Sequence, residues 1–156
     1  MSLEQFMTDF LNRPVSSLRA IEHRNSGNRT STILSREGKY QCELITWGPN
    51  LVLPAHRHPG MRGIARHIDG AMTFIVGTGK TEKQTNELIA QAKVWPSKFY
   101  RNRVIEVNSN TWHGGKTGKG GAAFWIFEEW KGDVQTAGTD WEGPELPGIT
   151  LSKICV

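Results

Sequence analysis

The sequence predicts a single all-β domain, a jelly-roll barrel that follows one short N-terminal helix. With 156 residues the chain is long enough for one domain with its own apolar core. Its 17 Gly and 7 Pro interrupt it more often than a helical bundle allows. Between these residues lie seven to nine short segments with the two-residue period of strands. Such closely spaced strands are typical of closed barrels and double-sheet jelly rolls.

The predicted helix covers residues 2–12. Ser2 and Gln5 form a capping box at its start, and Pro14 marks its end. The apolar residues that share one face of this helix are Leu3, Phe6, Met7, Phe10 and Leu11. We expect that face to dock on the body of the fold or on a partner subunit.

The strands are expected to follow in close succession after a polar loop over 15–30. The predicted strands are 30–34, 40–47, 51–58, 71–76, 87–95, 104–107 and 122–130. The segment 59–70 is expected to be a lengthened turn, and the glycine-rich segment 114–121 an exposed turn.

The domain organisation follows from these elements. A single domain over 1–156 is expected, with a helix and loop in 1–30 and the barrel in 31–130. An irregular C-terminal tail is expected over 131–156, with a final strand near 150–154. The apolar helix and the open barrel edges predict a homodimer.

Charge and composition restrict the partners. The net charge of +4 and the pI near 9.3 arise from scattered Lys and Arg, which excludes a nucleic-acid patch and suits a small anionic molecule. No segment approaches the length of about 20 apolar residues that a membrane span needs. The N-terminal segment lacks the pattern of a signal peptide, so a cytoplasmic protein is expected.

Three of the five histidines suggest a metal site. His56 and His58 alternate along a predicted strand, so both imidazoles face the same side. His113 follows 55 residues after His58, at the end of the turn VNSNTW. Neutral imidazole nitrogens suit Fe, Zn, Mn, Ni or Cu.

These segments resemble motifs of the cupin family. LPAHRHPG resembles the start of the family's first motif, which runs Gly, five residues, HxH, three or four residues, Glu, six residues, Gly. MTFIVGTGK resembles the closing strand of that motif. VNSNTWHGG resembles the second motif, Pro-x-Gly-x-x-His, with Asn108 and Asn110 in place of Pro and Gly. The resemblance covers about residues 40–130 and implies a cupin-type barrel whose metal is bound by His56, His58 and His113.

The main departure from the family is the glutamate of the first motif. Met61 and Arg62 fill the window that follows the HxH pair. Aligning the motif's closing glycine with either glycine of GTG, after strand 71–76, places the glutamate position at Gly70 or Met72. The resemblance therefore implies a three-histidine site, as in thiol dioxygenases. The alternative is a fourth ligand from His67 or Asp69, whose strand parity points them outward unless a bulge intervenes.

Four further residues are candidates for a role with substrate. Arg62 or Arg66, on the expected long turn, is placed to bind a substrate carboxylate in a bidentate pair. Tyr100 is the better placed of the two tyrosines for an acid–base role. Glu128 is expected to face into the barrel, where it would be a general base or would orient a ligand of the metal.

The sequence thus predicts a small-molecule metalloenzyme, most specifically an iron-dependent dioxygenase with a three-histidine site and a small anionic substrate. Zn, Mn or Ni are the alternative metals. A non-catalytic cupin that binds or senses a small ligand remains an alternative function. So does a sugar isomerase or epimerase, which would need an acid–base pair that the sequence does not identify.

Overall fold

The computed structural model of the chain describes residues 1–25, 27–132 and Gly143. Its helices are α1 Leu3–Leu11 and α2 Glu82–Gln91. Its strands are β1 Glu22–Asn25, β2 Arg29–Glu37, β3 Tyr40–Trp47, β4 Val52–His56, β5 Met61–Val76, β6 Val104–Val107 and β7 His113–Trp130. Short 3-10 turns cover Val15–Ser17 and Ser97–Phe99. Neither α-helix in this part of the chain has the length and apolar character that a bilayer crossing requires. The predicted all-β class with a short N-terminal helix is confirmed.

All strand pairs are antiparallel, and two long bent strands organise them. The strand order is β1-β2-β3-β7-β5-β6, and β4, which is outside this order, also pairs with β7. Residues 61–67 of β5 lie beside 124–130 of β7, whereas residues 72–76 lie beside 113–117. The register shifts twice between these halves, where both strands turn from one layer into the other. The result is a jelly roll with an inner and an outer face.

Helix α1 covers the outer face of the layer built from β3, β7 and the first half of β5. Ser2 caps the helix by accepting a hydrogen bond from the backbone N–H of Gln5, at 3.1 Å. Phe6 stacks on Tyr40 with ring centroids 5.5 Å apart, and Phe10 meets Trp125 at the same distance. The buried residues of this outer core are Leu3, Phe6, Phe10, Tyr40, Cys42, Ile64 and Phe127.

The inner faces of the two layers enclose a second core. Its buried members are Leu53, Ala65, Met72, Ala122 and Phe124. Phe74, Ile105 and Ile126 pack against them but remain partly exposed. Inward side chains of a barrel stay exposed only where the interior is open to solvent, so side chains do not fill this interior completely.

The structure corrects one of the predicted strands. Residues 87–91 of the predicted strand 87–95 belong to helix α2, and residues 92–95 lie in no helix or strand. Thr81 caps this helix by accepting from the backbone N–H of Gln84. Thr85 and Ile89, four residues apart, are its buried positions. The Thr81-x-x-Gln84 capping box was the signal for this helix, and the scattered β-branched residues after it concealed it.

The expected turns at 59–70 and 114–121 are mostly strand. Met61 begins β5 directly after a short turn, and β7 runs unbroken from His113. Alternation is hard to detect in these segments because several consecutive residues of β5 are buried and because bulges shift its parity. The predicted strand 150–154 lies outside the described residues.

Replacing Phe6 by alanine should lower the free energy of unfolding by about 3–5 kcal/mol. Phe6 is fully buried between Tyr40 and Phe127, so its loss leaves a cavity under α1. Urea denaturation followed by circular dichroism measures this change. Asp9→Ala, on the exposed side of the same helix, is the control and should change the value by less than about 0.5 kcal/mol. Equal losses in both variants would contradict the docking of α1.

Candidate metal centre

Three histidines meet where β4 lies beside the start of β7. His56 is directly opposite His113 in this ladder, and His58 follows two residues later. The ring centroids of His56 and His113 are 4.1 Å apart, and those of His58 lie 5.2 and 5.3 Å from them. One nitrogen from each ring lies within 4.8 Å of the other two. Three imidazoles this close can coordinate one metal ion.

Backbone carbonyls fix the orientation of two of these rings. Nδ1 of His56 lies 2.8 Å from the carbonyl oxygen of Pro54, and Nδ1 of His113 lies 2.8 Å from that of Thr111. A carbonyl oxygen only accepts, so each Nδ1 carries the hydrogen and each Nε2 keeps its lone pair. Outer hydrogen bonds of this kind orient metal-binding histidines and raise the basicity of the ligating nitrogen.

The surroundings keep these imidazoles neutral. Burial, together with the neighbouring His58, lowers the pKa of His113 to about 4. Burial and the neighbouring histidines also place the pKa of His56 well below its usual value. Neutral imidazole is the form that binds metals, so near neutral pH both side chains are ready to coordinate.

A tight turn holds the strand of His113 against the HxH segment. The backbone N–H of Asn110 donates to the carbonyl oxygen of His58 at 3.0 Å, and Asn110 has φ +62°. Asparagine tolerates this left-handed conformation, as expected for its position in the turn. The turn therefore links the two segments from which the three ligands come.

No protein-family model and no curated protein sequence matches the chain, but solved structures do. An RmlC-like cupin from Shewanella frigidimarina superposes with a TM-score of 0.53 at 11% identity, over 80% of this chain and 94% of its own. The cupin domain of Cnp3 from Schizosaccharomyces pombe gives 0.52 at 10% identity, over 77% and 74%. Oxalate oxidase gives 0.50 at 12% identity, over 78% and 66%. The chain has the cupin fold. Identities this low establish the fold and leave the activity to the site.

The structure identifies a different position, Gly63, as the counterpart of the glutamate in the cupin motif. Asn50, with φ +52°, stands at the first glycine of the motif, and five residues separate it from His56. Four residues separate His58 from Gly63, and six more separate Gly63 from Gly70, which has φ +72°. The spacing and the backbone conformations thus match the whole first motif, with glycine in the glutamate position.

The sequence-based placements of that glutamate at Gly70 and Met72 depended on a premise that the structure contradicts. They assumed a long turn after the HxH pair, whereas β5 begins at Met61. A Cβ at Gly63 would lie 3.4 Å from Sδ of Met61, an ordinary contact distance. Within the described residues, the ligand group consists of the three histidines without a carboxylate.

The two arginines predicted to bind substrate lie on the outer face of the cupin barrel. Arg62 forms salt bridges with Glu4 of α1 and with Glu129. Arg66 pairs in register with Trp125, whose ring packs against α1. They face outward because both share the strand parity of Ile64, which belongs to the outer core.

His67 and Asp69, the alternative ligands, are not part of the histidine cluster. His67 faces inward with 2% exposure, against the rings of Phe124 and Tyr100, which corrects the expected outward orientation. Its two ring nitrogens have no hydrogen-bond partner in the described structure. A bulge separates His67 from Asp69, and Asp69 is exposed.

Tyr100 is buried, and its hydroxyl serves the local structure. The hydroxyl oxygen accepts from the backbone N–H of Trp95 at 3.0 Å and bonds to the hydroxyl of Thr73 at 2.7 Å. These contacts fasten the segment around Ser97–Phe99 to β5. The geometry assigns Tyr100 a structural contact there, whereas an acid–base role stays a prediction.

Glu128 faces inward as expected, beside an acidic partner that the sequence analysis missed. Glu128 is 6% exposed and Glu43 is 4% exposed. The side-chain amide nitrogen of Gln41 donates to both, at 2.9 and 3.0 Å. The available signal was Gln41 and Glu43 at alternate positions of β3, which must share one face.

Proposed function

We propose that the protein is a cupin metalloenzyme that acts on a small molecule through a metal held by His56, His58 and His113. The observation that carries the proposal is the cluster of three imidazoles whose ligating nitrogens lie within 4.8 Å of one another. His56 and His113 are buried and their pKa values are lowered, so these two imidazoles are neutral and ready for a cation.

The number of ligands favours catalysis over a structural metal. Structural zinc sites close the coordination sphere with four protein ligands, whereas catalytic sites keep positions for water or substrate. Gly63 stands where the cupin motif has its carboxylate, so the chain supplies three ligands from its described part. When bound, an iron ion would supply activation of dioxygen and substrate at the remaining positions. We therefore propose an iron-dependent dioxygenase, with Zn, Mn or Ni as alternative metals.

The proposed anionic substrate requires a cation on the inner face of the barrel, and Arg29 is the candidate. Arg29 is opposite Trp47 in the β2–β3 ladder, and Trp47 packs against the inner core. The guanidinium of Arg29 lies 5.4 Å from the centre of the Trp47 ring, so it is on the inner face too. The pKa of His56 is lowered mainly by burial and by the neighbouring histidines, and the positive charge of Arg29 lowers it further. We therefore propose that Arg29, rather than Arg62 or Arg66, binds the anionic group of the substrate.

An isomerase or epimerase is the second candidate function. It requires an acid–base pair, and Glu43 and Glu128 form a buried carboxyl pair on the inner face. The third possibility, a non-catalytic cupin that senses a ligand, is supported by the fold alone.

Metal analysis followed by oxygen consumption tests the proposal. Protein expressed in iron-replete medium should contain about one equivalent of metal, as expected for a single site. The iron-loaded protein should then consume oxygen with a thiol or a catechol-type acid from a panel of small anions. Absence of bound metal, both after expression and after soaking with Fe(II), Zn(II), Mn(II) and Ni(II), contradicts the metalloenzyme. Metal binding without oxygen uptake, together with isomerisation of a sugar, favours the second function.

A further inference from the structure

Glu43 and Glu128 share one hydrogen-bond donor on the inner face, the side-chain amide of Gln41. Gln41 is opposite Glu128 in the β3–β7 ladder, and its amide nitrogen donates to one oxygen of each carboxyl group. The amide is held in this orientation because its oxygen accepts from Nε of Arg36 at 2.7 Å. Two carboxyl groups that share one donor inside a low-dielectric interior cannot both be ionised at low cost.

The remaining contacts distinguish the two carboxyl groups. Glu43 accepts from the hydroxyl of Ser31 at 2.5 Å and forms a salt bridge with Arg29 at 3.5 Å. Glu128 accepts only from neutral groups in the contacts described, Gln41 and the indole N–H of Trp130 at 3.0 Å. A cation stabilises the ionised form of its partner, so the negative charge belongs on Glu43.

The proton of the pair therefore belongs on Glu128. Burial and the charge of Glu43 hold the pKa of Glu128 well above its usual value. The two N–H donors both point to its Oε2, which leaves Oε1 to carry the proton. This separation of roles between two neighbouring carboxyl groups is the arrangement that general-acid catalysis uses.

The pair faces the same interior as the histidine centre. Glu128 is opposite Gly63 in the β5–β7 ladder, the position at which the cupin motif carries its metal-binding glutamate. Because glycine has no side chain, the carboxyl group next to this position on the inner face is that of Glu128. Arg29 connects the two regions, since it contacts Glu43 and its charge acts on His56.

We propose that Glu128 is the proton donor for a substrate bound at the histidine centre, with Glu43 as the ionised partner that keeps it protonated. The O–H bond of Glu128 breaks, and the proton goes to the substrate oxygen or carbon that develops negative charge. Glu128 is left as a carboxylate until water returns a proton. The inference rests on the proposed metalloenzyme, and it selects substrates whose reaction forms an anion next to the metal.

Two measurements on matched variants test this role. Glu128→Gln retains the size of the protonated acid and both of its accepted hydrogen bonds, so it should fold with unchanged thermal stability at pH 7. Glu129→Gln is the control, because Glu129 is the next residue of the strand, faces outward and pairs with Lys39 at 2.6 Å. In carbon-13 spectra of metal-free protein labelled at glutamate carboxyls, one group should remain protonated at pH 7 in wild type and Glu129→Gln. That signal should be missing from Glu128→Gln.

The second measurement connects the carboxyl pair with the metal. Co(II) is loaded as a visible probe, and its absorption is followed between pH 5 and pH 10 in each protein. Ionisation of Glu128 adds a negative charge to the inner face that the centre shares, so wild type and Glu129→Gln should show a spectral step that Glu128→Gln lacks.

The outcomes separate this inference from the proposed function. A protein that takes up no Co(II) contradicts the metal centre and the role of Glu128 together. A protein that binds Co(II) but has every glutamate ionised by pH 6 overturns the proton donor alone. The same conclusion follows if the spectral step of Glu128→Gln is identical to that of wild type.

Discussion

Replacing His113 by alanine is expected to abolish metal binding while the fold is retained. His113 is one of the three histidines of the proposed metal centre, and its ring is 4.1 Å from that of His56. Two imidazoles from one HxH pair cannot enclose an ion, so the affinity for metal should fall by at least about 100-fold. This loss exceeds the usual effect of removing a hydrogen-bond partner of a metal ligand. The metal content of the purified variant and its Co(II) titration measure this loss.

His23→Ala is the matched control for this experiment. His23 is an exposed histidine on β1, and its ring bonds to the hydroxyl of Thr32 at 3.0 Å. Its removal should leave metal content unchanged, and circular dichroism should show folded protein for both variants. If His113→Ala binds metal as tightly as His23→Ala, the three histidines are not the metal site.

Replacing Gly70 by alanine should destabilise the fold by more than about 4 kcal/mol, the range in which backbone clashes and strain combine. A Cβ at Gly70 would lie 2.2 Å from the carbonyl oxygen of Gly121, and φ at Gly70 is +72°. The contact is with backbone at the bend between the two halves of β5 and β7, where no side chain can move aside. Soluble yield and urea denaturation measure the effect.

Gly38→Ala isolates the cost of the backbone conformation. Gly38 has φ +57° in the β2–β3 turn, but a Cβ there would meet nothing within 4 Å. Its replacement should cost about 1 kcal/mol, the ordinary penalty for a left-handed non-glycine residue. If the two variants lose equal stability, the close approach of the strands is not the reason that position 70 requires glycine.

Local signals in the sequence were sufficient for several elements. The capping box of Ser2 and Gln5 identified α1, and the alternation in 40–47 and 104–107 matched β3 and β6. The HxH spacing placed two imidazoles on one side of a strand, because that geometry depends only on the backbone. The motif comparison likewise placed Asn110 at a glycine position, and Asn110 has the left-handed φ of +62° that asparagine tolerates.

Non-local contacts decided the elements that the sequence analysis missed. Residues 61–70 form a strand because β7 and β6 lie on either side of β5, although Gly63 and Gly70 favour a turn. The same error displaced the glutamate position, since a motif can be aligned only when its strand is known. It also assigned Arg62 and Arg66 to the site, whereas their parity in β5 turns them outward.

By itself, the sequence determined the all-β class and the HxH half of the site, and it indicated His113 as the third ligand through the turn that precedes it. Each of these depends on neighbours within a few residues. Only the tertiary structure decided that Gly63 takes the place of the glutamate and that Glu43 lies beside Glu128. Glu43 and Glu128 are far apart in the chain but lie on adjacent strands, β3 and β7, where Gln41 donates to both. Such proximity is a property of strand pairing and register, which one sequence does not display.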